Sequence, residues 1–298
     1  MESNEVISFQ EVTKKYKNSK IYGIQDISFE MYEGEVLGII GGNGSGKSTL
    51  MKLIGGLLFP SEGNFKSFFR VEECGFLIEE PAFYPELSGF DNIKYYAIQK
   101  NNLDMEYITH LFSIFDLFEY RKQKYKAYSL GMKKKLAIIF SLLNKPKMLV
   151  LDEPFSGLDA ESVENVSRTL SKLNQEDNMT ILISSHQLNE IQTLCNRFIF
   201  IDKGKLVGKI SKKEWEIKSK VMRKYTFINL ENLKKMYDIL LKERNIDCNE
   251  VLIDYKNYII RFFEKNIDKN MWPVPEYCVS ENITLNDYYI FLKEKSDK

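Results

Sequence analysis

The sequence offers little for metal chelation, disulfide scaffolding or charge-driven binding. Its 298 residues include only four cysteines and two histidines. Cys74, Cys195, Cys248 and Cys278 are far apart and form no C-x-x-C pair. That argues against a cysteine zinc site and against a disulfide framework. Free thiols in a reducing compartment are expected, with Cys195 as small core filler in a helix. Lys plus Arg equals Asp plus Glu at 42 each, so the net charge is zero. A balanced chain feels no general pull toward nucleic acid, and no nucleic-acid partner is expected. The densest basic run, Lys133-Lys134-Lys135, reads as the solvated face of a helix. The longest apolar stretch, Leu136 to Leu143, falls well short of the roughly 18 residues a membrane helix needs. Met1 to Glu5 is acidic and polar, without the basic start and apolar stretch of a signal peptide. The expectation is a cytoplasmic chain that leaves any membrane crossing to another protein.

What is present is ordinary globular material, 44% hydrophobic and 28% charged. Short alternating runs at Ile7–Phe9 and Ile27–Met31 read as strands. Val36–Ile40, Met148–Leu151, Thr180–Ser184 and Phe198–Ile201 read as buried parallel strands. Helical patterns cover Thr49–Leu58, Glu161–Leu173 and Leu188–Cys195, and residues 80–145 are mainly helical. Strands alternating with helices predict an α/β fold with a parallel sheet and a helical insertion. Composition shifts near residue 211 toward Lys, Glu, Asn and Tyr. A domain of residues 1–214 and a small α+β appendage of 215–298 are expected. The appendage reads as strands at Tyr225–Ile228, Val251–Tyr255 and Tyr258–Phe263, with a helix at Leu230–Leu241.

The strongest motif is Gly41-Gly42-Asn43-Gly44-Ser45-Gly46-Lys47-Ser48, followed by Thr49. It matches G-x-x-x-x-G-K-[ST] at every fixed position, after an apolar strand and before a helix. Small residues let consecutive backbone amides face one anion, and the helix N-terminus adds partial positive charge. Lys47 reaches the terminal phosphates of a nucleotide, and the Ser48 hydroxyl suits Mg²⁺. Met148–Leu151 ends in Asp152-Glu153. In a phosphate-loop protein such a strand places Asp152 to hold Mg²⁺ and Glu153 to act as general base on water.

These features together resemble the ATP-binding subunits of ABC transporters over roughly residues 5–210. In that reading the core is a P-loop ATPase with helical and antiparallel β subdomains. The resemblance implies that Tyr16 stacks on adenine and that Ser156-Gly157-Leu158-Asp159 forms the D-loop. Ser129 and Gly131, within Tyr128-Ser129-Leu130-Gly131-Met132, stand where the family contacts the γ-phosphate of ATP held by a second subunit. His186 stands as the switch histidine, catalytic together with Glu153 and Lys47. Glu79 occupies the place of the usual metal-side Gln and Leu130 that of a usual Gly. With Glu79 so placed, the resemblance implies added negative charge near Glu153 and a stronger dependence on Mg²⁺. Leu130 implies only a packing change.

The runs Leu77 to Pro85 and Tyr128 to Lys133 look like bacitracin-resistance and lantibiotic-immunity exporters. The partners implied are an integral membrane permease and either a second copy of the chain or a related ATPase. The implied location is the inner face of the cell membrane, with Phe83, Tyr84 and Leu87 as the receiving surface. A soluble, translation-linked ABC ATPase is the alternative. Such proteins carry fused cassettes or a long coiled coil, and this chain has one cassette and no sustained heptads.

Overall fold

The computed structural model describes residues 4–16, 22–186, 188–242, 251–263 and 278–296. Met1–Ser3 and Cys248 lie outside the described residues. The chain divides into two compact units, Met1–Lys209 and Ile210–Lys298.

The first unit is built on two sheets. β1 (Glu5–Lys15), β2 (Tyr22–Tyr32) and β4 (Glu62–Ser67) form an antiparallel sheet in the order β2-β1-β4. β3 (Val36–Ile40), β5 (Cys74–Leu77), β6 (Met148–Leu151), β7 (Thr180–Ser185), β8 (Arg197–Asp202) and β9 (Lys205–Ser211) form a six-stranded sheet. Its order is β5-β6-β7-β3-β8-β9, and the first five strands run parallel. All residues of β3, β6 and β7 are buried, as expected for parallel strands covered on both faces.

α1 (Lys47–Ile54) packs between the two sheets. Phe9, Phe29 and Met31 from the antiparallel sheet meet Leu50 and Leu53 of α1 and Ile39 and Leu182 of the parallel sheet in one core. Each side chain of this size contributes roughly 1.5–3 kcal/mol on full burial. α1 stops at Ile54, four residues earlier than the pattern predicts. Gly55 and Gly56 end it, the latter with φ +69°, and the amides of Leu57 and Leu58 cap the Lys52 carbonyl.

Three helices, α2 (Gly89–Gln99), α3 (Met105–Ile114) and α4 (Leu130–Leu142), pack against one another between β5 and β6 in the chain. Their N-caps are Ser88, Asp104 and Ser129, each accepting a first-turn amide proton. Asn92 of α2 is fully buried. It accepts from the Tyr84 amide at 2.7 Å and donates to the Tyr84 and Ser88 carbonyls at 3.0 Å. α5 (Ala160–Asp177) follows β6, and α6 (Leu188–Ile191) is half as long as the sequence pattern predicts. Cys195 is buried past the end of α6, close against Gly38 of β3.

The second unit holds α7 (Lys212–Val221), β10 (Met222–Phe227), α8 (Leu230–Lys242), β11 (Val251–Asp254), β12 (Ile259–Phe263), β13 (Cys278–Asn282) and α9 (Leu285–Ser296). The strands form an antiparallel sheet in the order β11-β12-β10-β13. Tyr225, Phe227, Ile260 and Phe262 alternate onto one face, where Leu233, Met236 and Leu240 of α8 cover them. Lys224 and Arg261 alternate with these residues and reach Asp287 of α9. Trp215 of α7 packs on Tyr288.

Candidate active site

β3 delivers the loop Gly41–Gly46 directly to α1. A side chain is barred at both ends of that loop. A methyl group at Gly41 would lie 2.6 Å from the Ile201 carbonyl oxygen, and one at Gly46 would lie 2.5 Å from that of Gly23. Gly46 also has φ +113°, a conformation that L side chains rarely adopt. At Gly42 and Gly44 the space outside the Cα is open. The loop therefore bounds a cleft of about 470 Å³, lined by Tyr16, Tyr22, Gly23, Asn43 through Thr49, Asp152 and Glu153.

Lys47 is buried at the base of this cleft. Its ammonium donates to the carbonyls of Gly41 at 2.7 Å and Gly42 at 3.2 Å, and it stands 3.4 Å from Glu153 Oε1. Ser48 Oγ donates to Asp152 Oδ2 at 2.6 Å. Ser184 at the end of β7 donates to the other Asp152 oxygen and accepts the Glu153 amide proton at 2.9 Å. Glu153 is held at φ +49°, turned out of the strand direction. Its second carboxylate oxygen meets His186 Nδ1. The Ser45 hydroxyl is buried without a hydrogen-bond partner, an uncompensated donor in the wall of the cleft. Behind His186, Ser185 donates to Glu190 at 3.1 Å. Burial pushes the Glu190 carboxyl up; the Ser185 hydrogen bond and His186 oppose this, and the Glu153 charge adds to it.

At the mouth, the Tyr16 and Thr49 hydroxyls pair at 3.0 Å. The Tyr16 ring lies over the bare Cα of Gly23, where a methyl group would approach it to 2.8 Å. Tyr22, with Lys15 over its ring at 5.4 Å, is a second aromatic wall. Thus Tyr16, Gly41 to Thr49, Asp152, Glu153 and His186 converge. Ser129 and Gly131 line a separate cleft with Asp116, Lys135, Gly157 and Asp159. Leu130 packs there over Gly157, where a methyl group would meet its side chain at 2.5 Å.

Two expectations need correction. Glu79 is bound to Lys52 at 2.8 Å and its side chain is 76% exposed. The Lys52 hydrogen bond and charge hold its carboxyl below the usual range, so no like-charge elevation arises there. Phe83 is not a receiving surface. It is buried against Tyr96, Tyr125 and Phe140, whereas Tyr84 and Leu87 are exposed.

Sequence reasoning missed Ser184, Gly23, Tyr22 and Lys52. Ser184 had a signal, a hydroxyl ending an otherwise apolar buried strand beside His186. Ser184→Ala removes a hydroxyl that holds both the Asp152 carboxylate and the Glu153 amide. It is expected to slow nucleotide hydrolysis about tenfold, or 1.4 kcal/mol, with nucleotide affinity changed less than about twofold. A kcat and Kd measurement on the same sample checks both halves.

A cleft of this make-up has counterparts. Residues 24–156 match the family model described as ABC transporter. The bacitracin transport ATP-binding protein BcrA of Bacillus licheniformis is 30% identical, over 96% of this chain and 97% of its own. The chain belongs to the ABC transporter family. It is an ABC ATPase. The ABC transporter ATP-binding protein YhcH of Bacillus subtilis is 35% identical over 68% of each chain. The lantibiotic transport ATP-binding protein SrtF of Streptococcus pyogenes is 34% identical over 68% of this chain and 89% of its own. Among solved structures, the dimeric ABC transporter cassette MJ0796 superposes with a TM-score of 0.62 at 26% identity. It covers 69% of this chain and 98% of its own. No helix among the described residues is long and apolar enough to cross a membrane.

Proposed function

We propose that the chain powers export of a peptide antibiotic through a separate membrane permease, with two copies forming two ATP sites. The observation that carries the pairing is the division of the site residues. Lys47, Asp152, Glu153 and His186 gather in one cleft, while Ser129 and Gly131 line another. A γ-phosphate bound in the first cleft is completed by the second cleft of a partner copy. The relatives named for bacitracin and lantibiotic transport support the cargo class.

The residues act as follows. The backbone amides of Asn43–Lys47 and the start of α1 take the phosphates. Lys47, held by two carbonyls and Glu153, supplies the neutralising charge. The open Cα faces of Gly42 and Gly44 leave room for the polyphosphate, and the orphan Ser45 hydroxyl gains an acceptor. Ser48 and Asp152 are a hard-oxygen set that fits Mg²⁺, which keeps most of its coordination for phosphate and water. When bound, Mg²⁺ neutralises charge on the transferring phosphoryl group. Glu153 takes the proton of the attacking water, and His186 orients that carboxylate. Loss of the γ-phosphate removes the shared contact and lets the two copies part.

Tyr16→Ala is expected to weaken ATP binding by roughly 1–3 kcal/mol. Equilibrium binding of ATP beside inorganic triphosphate checks this, since triphosphate affinity should not move. For the whole reading, the chain is co-expressed with a candidate membrane permease in an antibiotic-sensitive host. Resistance that vanishes with Lys47→Ala is expected. Unchanged sensitivity with an expressed, ATP-hydrolysing complex would sink the cargo assignment.

A further inference from the structure

One charged pair beside the cleft has no part in that mechanism. Lys52 lies four residues after Ser48 on α1, one turn along the same face. Ser48 is bonded to Asp152, and the Asp152 amide donates to the Leu77 carbonyl at 2.7 Å. Leu77 ends β5 in register with Leu151, and Glu79 follows two residues later. Lys52 is therefore flanked by the Ser48–Asp152 pair and by Glu79. Its ammonium is 2.8 Å from Glu79 Oε1, and Asp152 adds to the negative charge it feels. The side chains are 31% and 76% exposed, so the pair is solvent-screened and weakly held.

We propose that Lys52 is a positioning residue that keeps the Glu79 carboxylate away from the Ser48–Asp152 oxygens and releases it when a divalent cation enters there. This rests on the reading of Ser48 and Asp152 as the magnesium side of the site. The chemistry is a competition between two cations for one carboxylate. The ammonium is a single charge on a flexible stem. Mg²⁺ carries twice the charge and accepts only oxygen ligands in a strict octahedron. The surface pair is easily broken, so the exchange has little to overcome. Until it occurs, a second carboxylate is kept from crowding Asp152, and like charges there do not oppose nucleotide entry.

The test is a double-mutant cycle on the purified full chain, with Lys52→Gln, Glu79→Gln and both together. The readout is equilibrium binding of a fluorescent ATP analogue as Mg²⁺ is titrated, with an EDTA control and no turnover. Lys52→Gln is expected to lower the Mg²⁺ midpoint roughly three- to fivefold, the range an exposed pair supports. In the Glu79→Gln background the same change should move it less than about 1.5-fold. Lys52→Arg should keep the wild-type midpoint. Charges that stay in place add, so a Lys52 effect that depends on Glu79 marks a carboxylate that moves. Equal shifts in both backgrounds, or none with Lys52→Gln alone, overturn the proposal. A wild-type protein that binds the analogue without Mg²⁺ dependence and is indifferent to Lys47→Ala overturns the site reading itself, which no result at Lys52 alone does.

Discussion

Glu153→Gln should slow ATP hydrolysis by about 10²- to 10⁴-fold, the range of a lost general base. The substitution is nearly isosteric. It keeps the φ +49° backbone and the 2.9 Å bond from the residue 153 amide to Ser184. Its side-chain amide still reaches the His186 position, so the cleft keeps its shape. What goes is the carboxylate that contacts both Lys47 and His186. Nucleotide binding should therefore survive, and ATP should accumulate uncleaved with the paired copies held together. Single-turnover hydrolysis beside light scattering separates the two effects. A fall of less than about tenfold would mean that another group takes the proton, with His186 the first to examine.

Asp287→Ala is expected to destabilise the unit Ile210–Lys298 by about 3–5 kcal/mol, the usual result of stripping one partner from a buried ion pair. Arg261 and Asp287 are each about 5% exposed. Asp287 accepts from Arg261 Nε and from the Thr284 amide at 3.1 Å and from the Thr284 hydroxyl at 2.8 Å, with Lys224 at 3.7 Å. Removing the carboxylate leaves two cations with less counter-charge in a dry interior. Burial alone would raise this carboxyl. The two Thr284 hydrogen bonds, Arg261 and Lys224 outweigh it and hold the carboxyl below its ordinary 3.8. The sign follows: its contribution is complete above the unfolded value and is lost as pH falls through the lower folded one. Acid unfolding of this unit should thus set in below about pH 4, and the variant should lose that pH dependence. Both tryptophans, Trp215 and Trp272, follow Lys209 in the sequence. Intrinsic tryptophan fluorescence in a denaturant series therefore reports on this unit without interference from the other.

The cassette's core was legible because its signals are local. β3 and β6 are unbroken apolar runs, β7 has an apolar centre between Thr180 and Ser184, and the glycines of the loop Gly41–Ser48 answer to backbone geometry while Lys47 and Ser48 answer to chemistry. β4 left no trace: Glu-Gly-Asn-Phe-Lys-Ser is polar and almost wholly exposed, an edge strand defined only by pairing with β1. α7 and α9 were missed because their charged residues mask the buried face formed by Trp215, Tyr288 and Phe291. α6 was overread because Cys195, close against Gly38 of β3, carries the apolar pattern past the end of the helix. At the site, residue identity carried the chemistry but not the company. Glu79 was visible as an acid, yet Lys52 is 27 positions away. Phe83 reads as an exposed loop aromatic until α2 and α4 close around it.

The buried Asn92 fixes how far a disturbance at Glu79 can travel before it meets resistance. Ala82 is already tied to α2 through Tyr96, whose hydroxyl reaches the Ala82 carbonyl at 2.6 Å. Phe83 is wedged in the core, and Asn92 clamps Tyr84 by both its amide and its carbonyl. The stretch between, Glu79 to Pro81, has little slack: Glu80 is paired with Lys134 of α4 at 3.2 Å, the Pro81 carbonyl accepts the Phe83 amide at 2.9 Å, and Pro81 is a stiff imino acid. A tether so short has almost no backlash. A pull on Glu79 is handed on to α2 and, through Glu80, to α4, which makes this strip of chain a drive rod.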